Sequence, residues 1–259
     1  MKLATWNVNS LKVRLPHVLD WLAAEQPDVL CLQETKQEDK AFPFAELEAA
    51  GYTAYHNGQK TYNGVALLGK TAATDVQRDI PDFDDPQKRV IAATYNNGTA
   101  SSVRVICAYI PNGQDITSEK YEYKLRWLRA MHTFLQDELT RYPQLALLGD
   151  YNIAPEDRDV HDPAAFRDQV LCTAPEREAF NKFIALGLSD SFRQFEQAEK
   201  SYSWWDYRMM GFRRNHGLRI DHILLSTPLA EKCSACRIDK TPRKLERPSD
   251  HAPVIAEIS

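Results

Sequence analysis

The chain has 259 residues, 43% apolar and 26% charged, a composition suited to one large globular domain or two small ones. Its net charge of −4 argues against bulk attraction to a polyanion, so any contact with nucleic acid must use a local basic face. No apolar run is long enough to span a membrane, and five scattered cysteines argue against a disulfide framework. The segment Met1–Asn7 lacks the long apolar stretch of a signal peptide and reads as a strand, so a reducing, cytoplasmic setting is expected. Cys233-Ser234-Ala235-Cys236 has no second pair to complete a zinc site and reads as two incidental thiols.

The first strand, 2–8, ends in Asn7-Val8-Asn9, two amides in register on one side. Pro16 suits the first turn of a following helix, Leu15, Val18, Leu19 and Leu22 give it an apolar stripe, and Pro27 ends it. Residues 28–34 form the next buried strand, with Glu34 at its end. A short helix is expected over 42–50, before Gly51. The pattern then changes. Segments 52–57, 63–69, 89–96 and 102–110 read as strands separated by turns such as Asn97-Gly98 and by an acidic loop at 79–86. Strands joined without helices imply antiparallel pairing.

The strand that closes at Tyr109 runs into Ile110-Pro111-Asn112-Gly113. A long helix follows, N-capped by Ser118, with Tyr121, Leu125, Leu128, Met131, Leu135 and Leu139 on one packed face. Pro143 closes it. Leu145-Ala146-Leu147-Leu148 is a buried strand, and Gly149-Asp150-Tyr151-Asn152 sends a carboxylate and a carboxamide out of its end on the same side. Taken alone, that pair reads equally as an Asx-type turn. Residues 153–174 read as a solvated acidic loop, and a helix over 175–186 stops at Gly187. Ser203-Trp204-Trp205-Asp206-Tyr207-Arg208 is an aromatic cluster in a basic setting, with Trp205 expected in the core. A strand over 219–226 puts Asp221 and His222 on opposite faces. A loop at 247–253 carries Asp250-His251 into the last strand, 254–258. Strands with a covering helix recur in both halves, which fits two sheets packed face to face.

Asn7, Asn9, Glu34, Tyr109, Asn112, Asp150, Asn152, Asp221, Asp250 and His251 all stand at strand ends or in the loops beyond them, so they converge on one face. Glu34 is the best candidate for a hard-cation ligand; a salt bridge to Lys36 or Lys60 is its structural alternative. Asp221 could orient His251 and stabilise its imidazolium form. His222, on the other face, then packs or meets solvent.

These stretches form a set. In order along the whole chain, Trp6-Asn7-Val8-Asn9, Leu32-Gln33-Glu34-Thr35-Lys36, Tyr109–Gly113, Gly149–Pro155, Gly217–Asp221 and Ser249–Pro253 resemble the motifs of the exonuclease III / apurinic-apyrimidinic endonuclease family. That family lies in the DNase I-like endonuclease/exonuclease/phosphatase superfamily. The resemblance implies an α/β fold: a single domain, 1–259, built as a four-layered sandwich of two mainly antiparallel sheets flanked by helices. It implies a monomeric phosphodiesterase that uses Mg²⁺, with Mn²⁺ as the alternative, on double-stranded DNA. The expected activities are cleavage 5′ to abasic sites, 3′→5′ degradation and 3′-end trimming in DNA repair.

Carried over motif by motif, Glu34 is the principal metal ligand, with Asn7, Asn9 and Asp250 in the metal region. Asp150 activates water, and Asn152 helps hold the water or the phosphate. His251, paired with Asp221, stabilises phosphoryl charge, and Tyr109 and Asn112 contact the phosphate or the leaving oxygen. Asn9 stands where some relatives carry Asp, which makes a strong second metal site less favourable. Lys36, Arg89, Arg208 and Arg214 are expected on DNA phosphates; the last two lie in the first of two basic stretches, 200–219 and 237–247, which also hold Arg219 and Arg243. Trp204, Leu218 and Ile220 match positions lining a pocket for a base-less sugar, although some relatives have Trp in place of Leu218. Met209 and Met210 read either as a wedge into the duplex or as a loop packed on itself. The competing reading keeps the fold and the metal but takes a lipid or inositol phosphate head group as substrate.

Overall fold

Successive residues of one strand enter different cores. Leu145 and Leu147 pack towards helices, whereas Ala146 and Leu148 pack towards a second sheet. A computed structural model describes residues 1–96 and 102–259; the turn expected at Asn97-Gly98 lies outside the described residues. Strands run in the order Cys233–Ile238, Val254–Ile258, Lys2–Asn7, Val29–Gln33, Val65–Gly69, Thr53–Asn57 in the first sheet. The order in the second is Thr74–Arg78, Val90–Asn96, Ser102–Tyr109, Leu145–Asp150, Asp221–Ser226, Leu188–Asp190.

The central pair of each sheet is parallel, and the other pairs are antiparallel. A parallel pair needs a crossover. Helix Leu11–Glu25 supplies it in the first sheet and helix Glu119–Arg141 in the second. Leu3, Val29, Cys31 and Leu67 meet Ile91, Val105, Cys107, Leu148 and Ile223 between the sheets. Trp6, Leu30 and Leu32 pack on Leu11, Val18, Trp21 and Leu22 outside the first sheet. Ile106 and Leu147 pack on Trp127, Leu128, Met131, Phe180 and Phe183 outside the second. The result is the four-layered sandwich.

The expected helices are present, with one shift. The first begins at Leu11, so Pro16 lies inside it rather than in its first turn. The backbone explains the early start: the Leu11 N–H is drawn to the Thr35 carbonyl at 3.2 Å, a long-range contact that no local pattern shows. Ser118 caps the long helix by accepting from the Tyr121 N–H. Thr173 and Glu176 form a capping box at the start of helix Ala174–Ala185.

Three strands escaped the sequence pattern. Thr74–Arg78 is a polar, exposed edge strand, Leu188–Asp190 is very short, and Cys233–Ile238 is bulged between Cys233 and Ala235. The ribbon Trp204–Trp205 with Gly217–Leu218 was also illegible as two-residue strands. Trp205 is fully buried, as expected.

This topology decides where the polar residues go. Parallel central strands finish on the same side, so Asn7 and Gln33-Glu34 leave one sheet beside Tyr109 and Asp150 leaving the other. Strand Asp221–Ser226 runs antiparallel and therefore starts there, with Asp221 opposite Asp150.

Candidate active site

Gly149 is the first requirement. A Cβ at this position would lie 1.8 Å from the carbonyl oxygen of Ala108, so only glycine lets the two central strands meet just before Asp150. Asp150 is 1% exposed. Its Oδ1 accepts from the Asn152 backbone N–H at 2.9 Å, and its Oδ2 accepts from Asn7 Nδ2 at 2.8 Å and Asn152 Nδ2 at 3.3 Å. Asn7 Nδ2 also donates to Glu34 Oε1 at 2.8 Å, so one amide joins a carboxylate from each sheet. Glu34 Oε2 lies 2.9 Å from Lys36 Nζ, the ion pair that the sequence offered as an alternative to metal binding. Asn9, Glu34, Lys36 and Asn152 all have φ between 43° and 55°. Four of the chain's left-handed non-glycine residues thus meet at this site, two of them asparagines, which adopt that backbone readily.

His251 approaches Asp150 from the loop before the last strand, with Nε2 3.7 Å from Oδ2. Its Nδ1 lies 2.9 and 3.0 Å from the two oxygens of Asp221. Asp221 therefore orients His251 directly, and His222 points away as alternation requires. His222 is buried between two fixed partners, Arg219 Nη1 at 3.0 Å from Nδ1 and the Ile153 carbonyl at 2.9 Å from Nε2.

The electrostatics follow. Burial pushes the Asp150 carboxyl up to about 7; His251 and the Asn7 amide pull against this, while Asp221 and Glu34 add to it. Burial opposes charge on His251, but Asp221, Asp150 and Asp250 together push it up to about 10. Burial and the Glu34 carboxylate push the Tyr109 hydroxyl up, against the pull of Arg89, so it stays a proton donor. Asp250 is held below the usual carboxylate range: burial raises it, but His251 and donors from Trp204 and Asn9 outweigh that.

Donor atoms of Glu34, Asp150 and His251 all lie within 4.8 Å of one another. Two carboxylates among polar neighbours are a hard donor set that fits a divalent cation of the Mg²⁺ or Mn²⁺ kind. The other expected metal residues are arranged differently. Asn7 turns its amide nitrogen, not its oxygen, towards the carboxylates, and Asn9 and Asp250 bond to each other at 2.9 Å. Lys36 Nζ occupies Asn9 Oδ1 at 2.6 Å.

Asn112 Nδ2 donates to Asn152 Oδ1 at 3.0 Å, so the two predicted phosphate contacts are linked. Tyr109, Asn112 and Arg89 line one cavity of about 570 Å³ beside the site. Arg89 stacks on the Tyr109 ring, 4.7 Å from its centroid. Arg208 and Arg214 are exposed, and Arg208 pairs with Asp206 at 2.6 Å. Met209 and Met210 are 77% and 54% exposed, so that loop is not packed on itself. Arg219 and Arg243, counted with the basic stretches, are buried structural residues. Arg219 is held by Asp159 and Asp190, and Arg243 lies against Phe212, Trp205 and Tyr207.

The expected base-less-sugar wall is closed. Leu218 and Ile220 are 0% and 2% exposed because the ribbon packs them on Ala154, Val160, Leu171 and Cys172. Trp204 alone keeps an open edge, and its Nε1 donates to Asp250 Oδ2 at 3.0 Å. Sequence reasoning missed Arg14, which ties the Asn9 carbonyl to the carbonyls of Arg247 and Pro248 and to the Tyr207 hydroxyl. No local signal marks it. Lys124 was also missed, although a lysine at three from Tyr121 in an apolar stripe is a legible anomaly.

The fold and the chain that forms it have known relatives. Residues 4–251 match the Endonuclease/Exonuclease/phosphatase family. The chain is 39% identical to exodeoxyribonuclease III of Haemophilus influenzae, over 99% of both chains. A 3′ phosphatase from Neisseria, solved with a product DNA hairpin, superposes with a TM-score of 0.96 at 47% identity, over 100% of this chain and 99% of that one. An AP endonuclease from Archaeoglobus fulgidus superposes with a TM-score of 0.94 at 39% identity, over 100% and 99%. The chain therefore belongs to the Endonuclease/Exonuclease/phosphatase family, within its exonuclease III and AP endonuclease branch of hydrolytic DNA repair nucleases.

Proposed function

We propose that this protein hydrolyses phosphodiester and phosphomonoester bonds at 3′ ends of duplex DNA, with incision 5′ to abasic sites as its second activity. One observation carries the reading: Asp221, His251, Asp150, Asn7 and Glu34 form an unbroken chain of polar contacts across the ends of both sheets. Asp150, with its proton affinity raised to near neutrality, takes the proton of an attacking water. His251, kept protonated by Asp221, faces the negative charge that builds on the phosphoryl oxygens. Asn112 and the Tyr109 hydroxyl offer donors to the phosphate or the leaving oxygen, while Asn152, whose side-chain N–H groups go to the Ile110 carbonyl and Asp150, holds the carboxylate in place. Glu34 is the principal residue to hold Mg²⁺ or Mn²⁺, beside Asp150. A cation bound there supplies Lewis-acid neutralisation of phosphoryl charge.

The closed Leu218–Ile220 wall favours a 3′ terminus over a flipped base-less sugar, and the 3′ phosphatase from Neisseria at 47% identity supports that order. Lys36, Arg89, Arg208 and Arg214 then contact the DNA backbone. Five free cysteines support a reducing compartment, here the cytoplasm, and the described helices include none long and apolar enough to cross a membrane. A monomer completes the reading.

The test uses end-labelled duplexes carrying a recessed 3′ hydroxyl, a 3′ phosphate or one abasic-site analogue, each with Mg²⁺ and with a chelator. Mg²⁺-dependent phosphate release or shortening from the 3′ end is expected to outpace internal cleavage. A single cut 5′ to the lesion with inert 3′ ends would reverse the order of activities. No cleavage in Mg²⁺ or Mn²⁺ would move the weight to a lipid or inositol phosphate substrate.

A further inference from the structure

Lys124 lies on helix Glu119–Arg141, is fully buried, and has no part in the chemistry above. Its ammonium makes three contacts: to the carbonyl of Asn112 at 3.1 Å, to the carbonyl of Asn152 at 2.6 Å, and to Glu176 Oε1. Three donors on a tetrahedral nitrogen thus meet three divergent acceptors. Glu176 is equally saturated. Its carboxylate also accepts from the Leu171 and Thr173 backbone N–H groups and from the Thr173 hydroxyl, at 2.8–3.0 Å. Gly113 clears the path: a Cβ there would lie 3.3 Å from Lys124 Cδ and 2.9 Å from Val170 Cγ2, at a φ of +95°.

The two carbonyls belong to the two amide residues of the site. Asn112 donates to Asn152, and the Asn152 N–H, in left-handed backbone, donates to Asp150 Oδ1. A cation beneath the site therefore fixes the far ends of the groups that aim the carboxylate.

We propose that Lys124 is a positioning residue for DNA strand cleavage, holding the Asn112 and Asn152 loops against Glu176 so that Asp150 keeps its attack geometry. The inference rests on the nuclease reading above. Displacing reacting groups by about 1 Å costs on the order of 10²-fold in rate. DNA-backbone contacts elsewhere are untouched, so the loss falls on kcat rather than KM.

A purely structural pair provides the control, with its acid on the same helix and its arginine on strand Ser102–Tyr109. Glu138 pairs with Arg104, both buried, 14 residues further along and so about 21 Å away along the axis. Lys124→Met/Glu176→Gln and Arg104→Met/Glu138→Gln remove the same chemistry without stranding a charge. Each is assayed beside wild-type protein that cleaves a 3′-recessed duplex in Mg²⁺, so the variant results bear on Lys124 alone. The first variant is expected to lose kcat by about 30- to 100-fold with KM changed less than about threefold. The second is expected to keep kcat within about threefold although its melting temperature falls as far. Equal kcat losses in both, or none in the first, would overturn the proposal.

Lys124→Arg covers a double variant that does not fold. It keeps a buried cation beside Glu176, but the N–H groups of a guanidinium fan out in one plane from a larger head and cannot reproduce three acceptors that converge on a single tetrahedral nitrogen. A loss of about tenfold in kcat is expected, and wild-type kcat would overturn the assignment.

Discussion

Replacing Asp150 by Asn is expected to cut turnover severely and, in chelator, to stabilise the fold. The carboxyl is pushed up to about 7 by burial, against an unfolded value of about 3.9. A rise of that size corresponds to a cost on the order of 4 kcal/mol for the ionised form in the native state. The sign follows from proton uptake. Between about pH 4 and 7 the folded chain binds a proton that the unfolded chain has released, so the cost is absent below that window and complete above it. Asn cannot ionise and escapes this cost. It must still face the Asn152 N–H on one side and the Asn7 and Asn152 side-chain amides on the other. One of its two ends therefore meets a donor with a donor, a loss of about 1–3 kcal/mol.

The balance is a gain on the order of 2 kcal/mol at pH 8, or several degrees in melting temperature for a chain of this length. Melts of both proteins in chelator at pH 8 and pH 4.5, with cleavage assays in Mg²⁺, test both halves. Turnover is expected to fall by about 10²- to 10⁴-fold with DNA binding retained. A variant no more stable than wild type at pH 8, or equally favoured at both pH values, would show that Asp150 carries no buried charge. Unchanged turnover would remove it from the chemistry.

Glu34→Gln is expected to raise the half-saturating Mg²⁺ concentration by about tenfold or more, and an unmoved metal titration would sink the ligand assignment. Asp221→Asn removes the largest of the three charges that raise His251, so the alkaline fall of activity should move to lower pH; an unmoved limb would separate Asp221 from His251. Burial, with Arg219 beside it, lowers His222 to about 4. That stability is complete above about pH 6.5 and is lost as pH falls towards 4, by on the order of 3 kcal/mol. Urea midpoints in chelator should fall across that window, and less steeply in His222→Gln; equal slopes would refute the role.

Much of the site was legible because chemistry-bearing residues sat at the ends of apolar runs. Leu145–Leu148 demanded a buried strand, and strand periodicity parted Asp221 from His222, whereas Asp150 and Asn152 meet through the Asx-type turn that the sequence offered as the alternative, the left-handed Asn152 donating its N–H to Asp150 Oδ1. Loss of helical patterning between 52 and 110 marked antiparallel pairing, which the sheets display outside their central pairs. Local patterning could not see contacts made across the sandwich. Whether Glu34 meets Lys36, Asn7 or a cation depends on how close two sheets bring their strand ends, and that separation is set by packing in the core. Leu218 and Ile220 carry no mark of being closed off, because Ala154, Val160 and Leu171 come from distant segments.

Residue patterning was enough for most of the elements, for the side of each strand its polar residues leave by, and for the family its motifs announce. Those depend on periods of two and 3.6 and on turn chemistry within a few residues. It took the packed layers to place Asn7 between Glu34 and Asp150, to bury Arg219 and Arg243, and to stand Lys124 beneath the site. Those facts belong to pairs of residues far apart in the chain, whose distances are fixed by sheet-on-sheet and helix-on-sheet packing.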